Sequence, residues 1–516
     1  MYMKFSHPLQ ALKRLGLVGA VALLFAACTR GGQNDYLSAV PAESALVMKA
    51  NLLNLADKSE ARENPLLKER IEKKLADASP AVRRLIEKAL DDPESTGIDF
   101  QRPMIVTMEA FAPSARGALL FAVDDAAKLT DFLETAIGEG EGQEELTLAR
   151  NKESKIHTLT GRNEHGSVAY DAGRLVVAYG EGKTDAAAYL QLPLNKQALS
   201  IATFKEEFVR SEQDIVIYAD YGQLLEFNPY LTSGLTVSPM VAQTQELFTM
   251  NFEAGRIVFS LQQYSNNTEW KELLEKTNMP PTGKHFGYIP ARNYGVLNLG
   301  LRNLSLSLEY LPREIHRMIL QGLKQVKTSP SILNKIEGDF TLAVLPMQRT
   351  GEKRFPQFFI AADCTDSELF DWIVQQIRKN DNSIQQVADQ VYALKAIRLG
   401  DEYAHYYLAY KENTMFFLPD SLYMRLADGD RFQALAENFA QRPLAEPLKY
   451  KSGLVVDFSV MAAEGGNMGR YLRILKDLTC IQQDPMTTDG ALDFTDTQTN
   501  ALKQITEMAL GPGDTE

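Results

Sequence analysis

The spacing of apolar side chains recurs in two segments that lie about 240 residues apart. Residues 118–124 and 357–363 are almost entirely apolar, and each run predicts a strand. The segments that follow carry apolar residues at helical spacing: Leu129, Phe132, Leu133 and Ile137 in the first, and Leu369, Trp372, Ile373 and Ile377 in the second. Each strand is therefore predicted to lead into an amphipathic helix.

Three further matches follow the same order along the chain. Residues 167–179 and 407–418 each predict two strands around a tight turn, with Gly173 and Asn413 at equivalent places. Those two residue types tolerate the positive φ that hairpin turns require. The other matched stretches are 40–52 with 289–301, and 215–220 with 454–457. Four matches in one order predict an internal repeat.

The order of elements predicts an α+β fold. Charged stretches with an apolar helical stripe, residues 65–89 and 311–335, follow the first strand of each copy. Neighbouring strands joined by short turns favour antiparallel pairing over a doubly wound parallel sheet. Two prolines and a glycine interrupt the pattern near residue 280. We therefore predict two tandem similar units, residues 41–280 and 281–516, each a mainly antiparallel sheet with helices packed on it.

The N-terminus has the parts of a secretory signal. Lys13 and Arg14 precede an apolar run that ends at Ala27, and this run is too short to span a bilayer as a helix. Cys28 follows directly, where acyl chains are attached in exported lipoproteins. We predict a signal peptide over 1–27, lipidation of Cys28 and a flexible tether over 28–40. The alternative is an ordinary signal peptide that has a cysteine nearby.

The composition is that of a folded protein with an acidic surface. Hydrophobic residues make up 45% of the chain and charged residues 23%, and the formal net charge is −13. Loss of the signal peptide removes three cations and makes the remaining chain more acidic. Such a surface repels phosphate backbones, so nucleic acid is not an expected partner.

The chain resembles an uncharacterised family of Bacteroidota lipoproteins that is known only as a domain of unknown function. The resemblance rests on the lipobox at Cys28, the opening at 40–48 and the segment 95–99 before a strand. It covers most of the chain after the signal. It implies a lipid-anchored envelope protein, palmitoylated at Cys28 and located in the outer membrane, and it implies no activity.

Few residues are candidates for redox or metal chemistry. Cys364 and Cys480 could form a disulfide in an oxidising envelope, or remain as buried free thiols. Glu402 and His405 have the spacing of helical metal ligands, but their segment alternates like a strand, which would separate them. The other histidines that follow the signal are His157, His165, His285 and His316, and they form no metal motif. We expect no metal and no cofactor.

Glycine and aspartate clusters have simple structural interpretations. The glycines at 465–469 lack the Lys-Ser/Thr of a phosphate loop, so we predict a turn or helix start there. Asp489, Asp493 and Asp496 miss the spacing of a calcium loop and predict a solvated loop. Four aspartates recur at strand-to-helix junctions and predict helix N-caps rather than catalytic acids. These four are Asp124, Asp363, Asp220 and Asp457.

The aromatic side chains of 403–417 have two interpretations. They could form an outward platform for a glycan or a protein, or they could fill the core. We favour the core, because a half-buried strand hides one of its faces in any case. The residues concerned are Tyr403, Tyr406, Tyr407, Tyr410, Phe416 and Phe417.

The sequence favours a non-catalytic binding or scaffolding role in the cell envelope, and no catalytic residue is assigned. The expected partners are the membrane, through the lipid on Cys28, and an envelope or host protein or glycan. The orientation, periplasmic or surface-facing, is left open. The alternative is a hydrolase of envelope glycans or peptides, because two catalytic carboxylates can be brought together by the fold without any fixed sequence spacing.

Overall fold

The structure is a computed structural model. It describes residues 35–61, 92–109, 116–138, 146–180 apart from 152 and 162–165, 184–227, 243–308, 328–350, 353–380, 384–399, 402–428, 431–464 and 472–510, with scattered positions between 63 and 89 and between 317 and 324. The predicted signal peptide, Cys28, His165, His316 and the glycines at 465–469 lie outside the described residues. Most of the helical stretches predicted at 65–89 and 311–335 also lie outside them.

The described strands are β1 Ser44–Ala50, β2 Ile98–Asp99, β3 Met104–Glu109, β4 Arg116–Val123, β5 Leu146–Arg150, β6 His157–Gly161, β7 Gly166–Tyr170, β8 Arg174–Gly180, β9 Ile215–Asp220, β10 Thr244–Glu253, β11 Arg256–Ser265, β12 Gly295–Leu301, β13 Ile336–Thr350, β14 Lys353–Cys364, β15 Ile384–Ala388, β16 Val391–Leu399, β17 Glu402–Lys411, β18 Thr414–Pro419, β19 Ala427–Asp428, β20 Arg431–Phe432, β21 Gly453–Asp457, β22 Leu475–Asp484 and β23 Thr487–Phe494.

The described α-helices are α1 Leu52–Ser59, α2 Ala126–Gly138, α3 Ala186–Leu190, α4 Tyr221–Phe227, α5 Thr268–Thr277, α6 Leu304–Ser307, α7 Glu368–Asn380, α8 Asp420–Leu426, α9 Phe458–Ala462 and α10 Ala501–Leu510. Within the described residues, no helix has both the length and the apolar character that a membrane crossing requires. Helices and antiparallel strands together make an α+β protein, as the order of elements in the sequence predicts.

The chain forms two compact units. The first takes its described residues from Met1–Thr232, Ala242–Ala254 and Gln498–Glu516, and the second takes its own from Ser233–Val241 and Gly255–Thr497. The chain passes from one unit to the other between Ala254 and Gly255, upstream of the boundary that the sequence predicts near residue 280. The reason is that β11 pairs along its length with β23 of the second unit.

In the first unit, antiparallel pairing joins the strands in the order β10, β9, β1, β3, β4, β8, β7, β6 and β5. The short strand β2 also pairs with β4. The predicted strand at 118–124 is confirmed as β4, and the predicted helix is confirmed as α2. Leu129, Phe132 and Leu133 of α2 are buried, as their helical spacing predicts.

In the second unit, antiparallel pairing joins β22, β21, β12, β13, β14, β18, β17, β16 and β15. Strand β23 continues beyond β22, and β11 follows β23. Apart from these two strands, the pairing order corresponds strand for strand to that of the first unit. The strand predicted at 357–363 is confirmed within β14, and the helix after it is confirmed as α7.

The last helix of the chain belongs to the first unit, although the sequence analysis assigns it to the second. In α10, Lys503 Nζ lies 2.7 Å from Glu60 Oε2. Just before α10, Asn500 donates a hydrogen bond to the Phe252 carbonyl at 3.0 Å. These contacts attach the C-terminal helix to the end of α1 and to β10.

The folded body begins earlier than the sequence predicts. Residues 35–40 were assigned to the tether, but Asp35–Ala39 form a 3-10 helix. Tyr36, Leu37, Ala39 and Val40 are buried, and Tyr36 donates a hydrogen bond to the Pro103 carbonyl at 3.0 Å. Burial of these apolar side chains keeps the segment within the first unit, so the tether prediction is wrong for 35–40.

Candidate functional site

Three aspartates lie side by side at one end of the sheet in the second unit. Asp457 of β21 is directly opposite Asp477 of β22, and Asp477 is directly opposite Asp493 of β23. Side chains directly opposite each other in antiparallel strands point to the same face, with Cβ atoms about 4.5–5.5 Å apart. The register therefore brings three carboxyl groups together on one face.

Three cations accompany this row. Arg442 approaches Asp457 Oδ2 at 2.6 Å, and Arg256 Nε lies 3.1 Å from Asp493 Oδ1. Lys476 Nζ is 3.7 Å from Asp477 Oδ2 and is more than half exposed. The two outer carboxylates are thus held by guanidinium groups, whereas the central one has a looser and more solvated partner.

The site raises the pKa of the Asp477 carboxyl. Its side chain is buried, with 5% of the residue exposed. Burial raises the pKa of Asp477 above its ordinary value, and the neighbouring charges of Asp493 and Asp457 raise it further. Lys476 opposes this shift without cancelling it. Asp477 therefore binds its proton more tightly than an ordinary aspartate does.

An open cavity of about 520 Å³ lies over this face, entirely within the second unit. Its charged lining consists of Arg256, Arg442, Lys476, Asp477, Asp489 and Asp493. One wall is apolar and contains Pro443, Leu444 and Pro447. The volume is within the range of small-ligand sites, which is about 300–1,000 Å³.

The aspartates near the C-terminus are strand residues, so the prediction of a solvated loop is wrong for two of them. Asp489 and Asp493 alternate with inward residues of β23, whereas Asp496 follows the strand. Asp493 is opposite Arg256 on β11, and Asp489 accepts a hydrogen bond from Ser260 at 2.8 Å. Pairing with strands on both sides outweighs the low strand propensity of aspartate here.

Of the four predicted helix caps, two are confirmed and two are wrong. Asp220 and Asp457 accept hydrogen bonds from the backbone N–H groups of Gln223 and Val460, each at 3.1 Å, which confirms both as caps. Asp457 therefore has two roles, because it also faces Arg442. The cap prediction is wrong for Asp124 and Asp363.

At those two junctions the helix starts later than predicted, and a later aspartate accepts hydrogen bonds from N–H groups of its first turn. Asp125 accepts from the N–H groups of Ala127 and Lys128. Asp366 accepts from the N–H of Glu368 at 3.0 Å. Asp363 is thereby left to make other contacts.

Asp363 is the centre of a second polar cluster, which is buried. Its Oδ1 atom is 3.0 Å from His285 Nε2 and 2.7 Å from Lys284 Nζ. Thr414 donates to the same oxygen at 3.1 Å, and the Asp339 N–H donates to Oδ2 at 2.9 Å. Burial opposes ionisation of Asp363, but the hydrogen bonds from His285 and Lys284 outweigh it and lower the pKa.

This cluster has the connectivity of a hydroxyl-His-Asp relay, but its hydroxyl and its imidazole are closed off from solvent. His285 Nδ1 is 2.9 Å from Thr341 Oγ1, and Thr341 donates to Asn298 Oδ1 at 2.8 Å. Thr341 and Asn298 are completely buried, and His285 is 1% exposed. A nucleophile must reach its substrate, so this arrangement binds the sheet together rather than acting on a ligand. No sequence motif marks this cluster, because its members come from a 3-10 helix and from strands that are far apart along the chain.

The remaining candidate residues do not converge on a site. Cys364 and Cys480 are both free thiols, and burial raises the pKa of Cys364 to about 11. Glu402 and His405 lie on β17, which confirms the strand interpretation of that segment. Within the described part of the chain, no group of three or more His, Cys, Asp or Glu side chains could hold a metal ion.

The aromatic residues of β17 and β18 mostly fill the core, as predicted. Tyr406, Tyr410 and Phe416 are buried. Phe417 stacks on Tyr406 with ring centroids 4.6 Å apart. Tyr407, which is half-buried, stacks on Tyr423 at 3.9 Å. None of these rings lines the cavity described above.

The chain belongs to a family described as a domain of unknown function, DUF4836, whose model matches residues 36–433. The match includes the Asp363 cluster, whereas Arg442, Asp477 and Asp493 of the cavity follow it along the chain. No curated protein matches the sequence.

Solved structures of TP0453 are similar to part of the chain. Crystal form IV has 15% identity and a TM-score of 0.27, covering 44% of this chain and 80% of that one. Form III has 12% identity and a TM-score of 0.26, covering 48% and 90%. Form I has 12% identity and a TM-score of 0.28, covering 47% and 84%. At these TM-scores the likeness supports no inference about function.

Proposed function

We propose that this protein is an exported lipoprotein, anchored through Cys28 in the outer membrane, whose second unit binds a ligand without converting it. The anchor rests on the sequence, in which a short apolar run ends directly before Cys28. Two or more acyl chains hold a protein stably at a membrane. The short distance along the chain between Cys28 and the buried residue Tyr36 keeps the folded body near the bilayer.

Replacement of the anchoring thiol tests this part of the proposal. We expect the Cys28→Ser variant to leave the membrane fraction, because the chain then lacks the acyl group. Cys480→Ser is the matched control and should fractionate like the wild-type protein. A Cys28→Ser variant that is as firmly membrane-associated as the wild-type protein would contradict a lipid anchor. A separate experiment, protease treatment of intact cells that carry the wild-type protein, would distinguish a surface-facing from a periplasmic body.

The binding role rests on one observation, which is that both carboxylates beside Asp477 are held by arginines. Asp457 faces Arg442 at 2.6 Å, and Asp493 faces Arg256 at 3.1 Å. A carboxylate engaged in this way is less available as a nucleophile or general base. The cavity nevertheless offers polar groups and an apolar wall, the combination that small-ligand sites use.

Filling the cavity tests the binding role. Ala491 lies in the cavity lining on β23, and Ala491→Trp would occupy the space that a ligand needs. Crosslinking in native membranes should then lose the adducts that the wild-type protein forms. Glu437→Gln, at an exposed position outside the cavity, should retain them. Adducts that survive in a folded Ala491→Trp protein would place binding elsewhere.

A second candidate is a carboxylate-dependent hydrolase of envelope glycans or peptides. It is favoured by the neighbouring pair Asp477 and Asp493, of which Asp477 has a raised pKa. Retaining glycosidases use two carboxyl groups about 5–5.5 Å apart, one of them held protonated. If this candidate is correct, Asp477→Asn should abolish cleavage of an envelope glycan or peptide that the wild-type protein cleaves.

We also propose that the two units arose by duplication of one ancestral unit. The corresponding strand orders support this, as do four sequence matches in one order. The proposal predicts that other members of the family, once aligned, show the same spacing of about 240 residues between matched segments of their two halves.

A further inference from the structure

One end of the cavity in the second unit contains the three cations Arg256, Arg442 and Lys476 beside the row of aspartates. Lys476 and Asp477 are consecutive, and the pairing of β22 with β23 shifts register between Leu475 and Asp477. This irregularity is compatible with both side chains lining the cavity. With Asp457 and Asp493 held by the two arginines, Lys476 is the cation of this end with the weakest partner, since 3.7 Å separates it from Asp477.

The opposite end of the same face is acidic. Asp489 is four residues from Asp493 along β23, which corresponds to about 13 Å at the usual rise per residue. It accepts a hydrogen bond from Ser260 at 2.8 Å. No ion pair between described residues involves Asp489. Its negative charge is therefore available to a ligand.

Small and neutral side chains separate the two ends. Thr479 and Ala491 are directly opposite each other on β22 and β23, midway between the charged positions, and both line the cavity. Pro443, Leu444 and Pro447 supply apolar contact along one side. The floor is therefore a shallow channel with the exposed ammonium of Lys476 near one end and the carboxylate of Asp489 near the other.

The fold itself does not require an acid at position 477. In the first unit, β10 pairs with β9 as β22 pairs with β21, and the residue opposite Asp220 is Gln245. Gln245 Nε2 donates to Asp220 Oδ2 at 3.3 Å, which makes a neutral contact where the second unit has Asp477 against Asp457. An amide is sufficient for the backbone at this place. The carboxyl of Asp477 therefore points to a role other than holding the strands.

We propose that the cavity binds a short peptide with free termini, about four residues long in extended form. The peptide carboxylate lies at Lys476 and accepts a hydrogen bond from the protonated carboxyl of Asp477. The peptide ammonium lies at Asp489. This inference rests on the proposed binding function and names its ligand class. Protonation of Asp477 leaves Lys476 free for the carboxylate, so affinity increases as the pH falls through the pKa of Asp477.

The test uses the full chain in detergent with tetra-alanine as the probe, followed by calorimetry. We expect saturable binding of tetra-alanine, and binding about tenfold weaker for its N-acetylated form and for its C-amidated form, since each loses one charge-assisted contact. Lys476→Gln should remove the difference between the free and the amidated peptide. Asp489→Asn should remove the difference between the free and the acetylated peptide. Glu437→Gln should preserve both differences.

Several results would overturn the inference. Equal affinity for the free and the blocked peptides would show that the charged ends do not recognise termini, and so would absence of tetra-alanine binding. Differences that persist in folded Lys476→Gln and Asp489→Asn proteins would assign recognition to other residues. Loss of crosslinked adducts in Ala491→Trp without any tetra-alanine binding would reject the peptide class and leave the binding function in place. Cleavage of tetra-alanine would instead overturn the non-catalytic function.

Discussion

Thr341→Val is the sharpest test of the conclusion that the Asp363 cluster is structural. The substitution keeps the shape of the side chain and removes only its hydroxyl. Thr341 is completely buried, and its hydroxyl contacts His285 Nδ1 at 2.9 Å and Asn298 Oδ1 at 2.8 Å. Both partners are buried, so loss of the hydroxyl leaves two buried polar atoms without that contact.

The expected cost follows from the two groups that lose their partner. A buried polar atom left without a hydrogen bond costs about 1–3 kcal/mol, so two such atoms cost about 2–6 kcal/mol. That is a large part of the stability of a domain, which is about 5–15 kcal/mol. With a urea dependence of about 3 kcal/mol per M, the unfolding midpoint should decrease by about 0.7–2 M.

Tryptophan fluorescence during urea unfolding measures this directly, because Trp270 and Trp372 are the only tryptophans of the chain and both lie in the second unit. Thr147→Val, at an exposed position of β5 in the first unit, is the matched control and should leave the midpoint within about 0.2 M. A Thr341→Val midpoint equal to that of the control would refute the structural role.

Three further outcomes are expected. A carboxyl whose folded pKa is raised contributes stability below its unfolded pKa and loses it as the pH rises through the folded pKa. Asp477→Asn should therefore be more stable than the wild-type protein at neutral pH, and this difference should shrink on acidification. Parallel pH profiles of the urea midpoint for the two proteins would contradict this expectation. Asp125→Ala should destabilise the first unit by about 1 kcal/mol in thermal unfolding and Asp124→Ala by much less, because only Asp125 caps α2; equal effects would reject that assignment. Removal of residues 498–516 should make α1 sensitive to limited proteolysis while the tryptophan-monitored transition is retained, and unchanged protection of α1 would show that α10 is dispensable.

The predictions that held are those that depend on local spacing. The helical positions of Leu129, Phe132 and Leu133 specify which face of α2 is buried, and that face is the same in any tertiary context. The strand interpretation was confirmed over Glu402 to Tyr410 for a similar reason, since aromatic and polar residues alternate there.

Several of the predictions that failed depend on pairing between distant strands. Asp489 and Asp493 have low strand propensity, and only β11 and β22 on either side make them part of a sheet. The row of Asp457, Asp477 and Asp493 is likewise set by register, which a sequence without known partners does not specify. Turn geometry failed in part: Asn413 has φ of 60°, but Gly173 avoids the left-handed region because Asp171 accepts hydrogen bonds from the turn.

Corresponding positions in the two units show why a repeat in sequence does not transmit a site. Lys49 and Asn298 occupy the same place in the matched first strands, and both bind backbone carbonyls at the end of a helical turn. Lys49 carries a charge, and it donates to the carbonyls of Phe208 and Ser211, each at 2.5 Å.

Asn298 is neutral, and its amide oxygen accepts a hydrogen bond from the hydroxyl of Thr341, which is opposite it on β13. The residue opposite Lys49 on β3 is Ile105, which can neither donate nor accept. A His-Asp cluster can therefore be built onto the second unit and not onto the first. A shared strand order determines where polar groups can be placed. The residue type at each place determines which unit has a polar cluster or a carboxyl row, as the pairs Lys49 and Asn298, and Gln245 and Asp477, show.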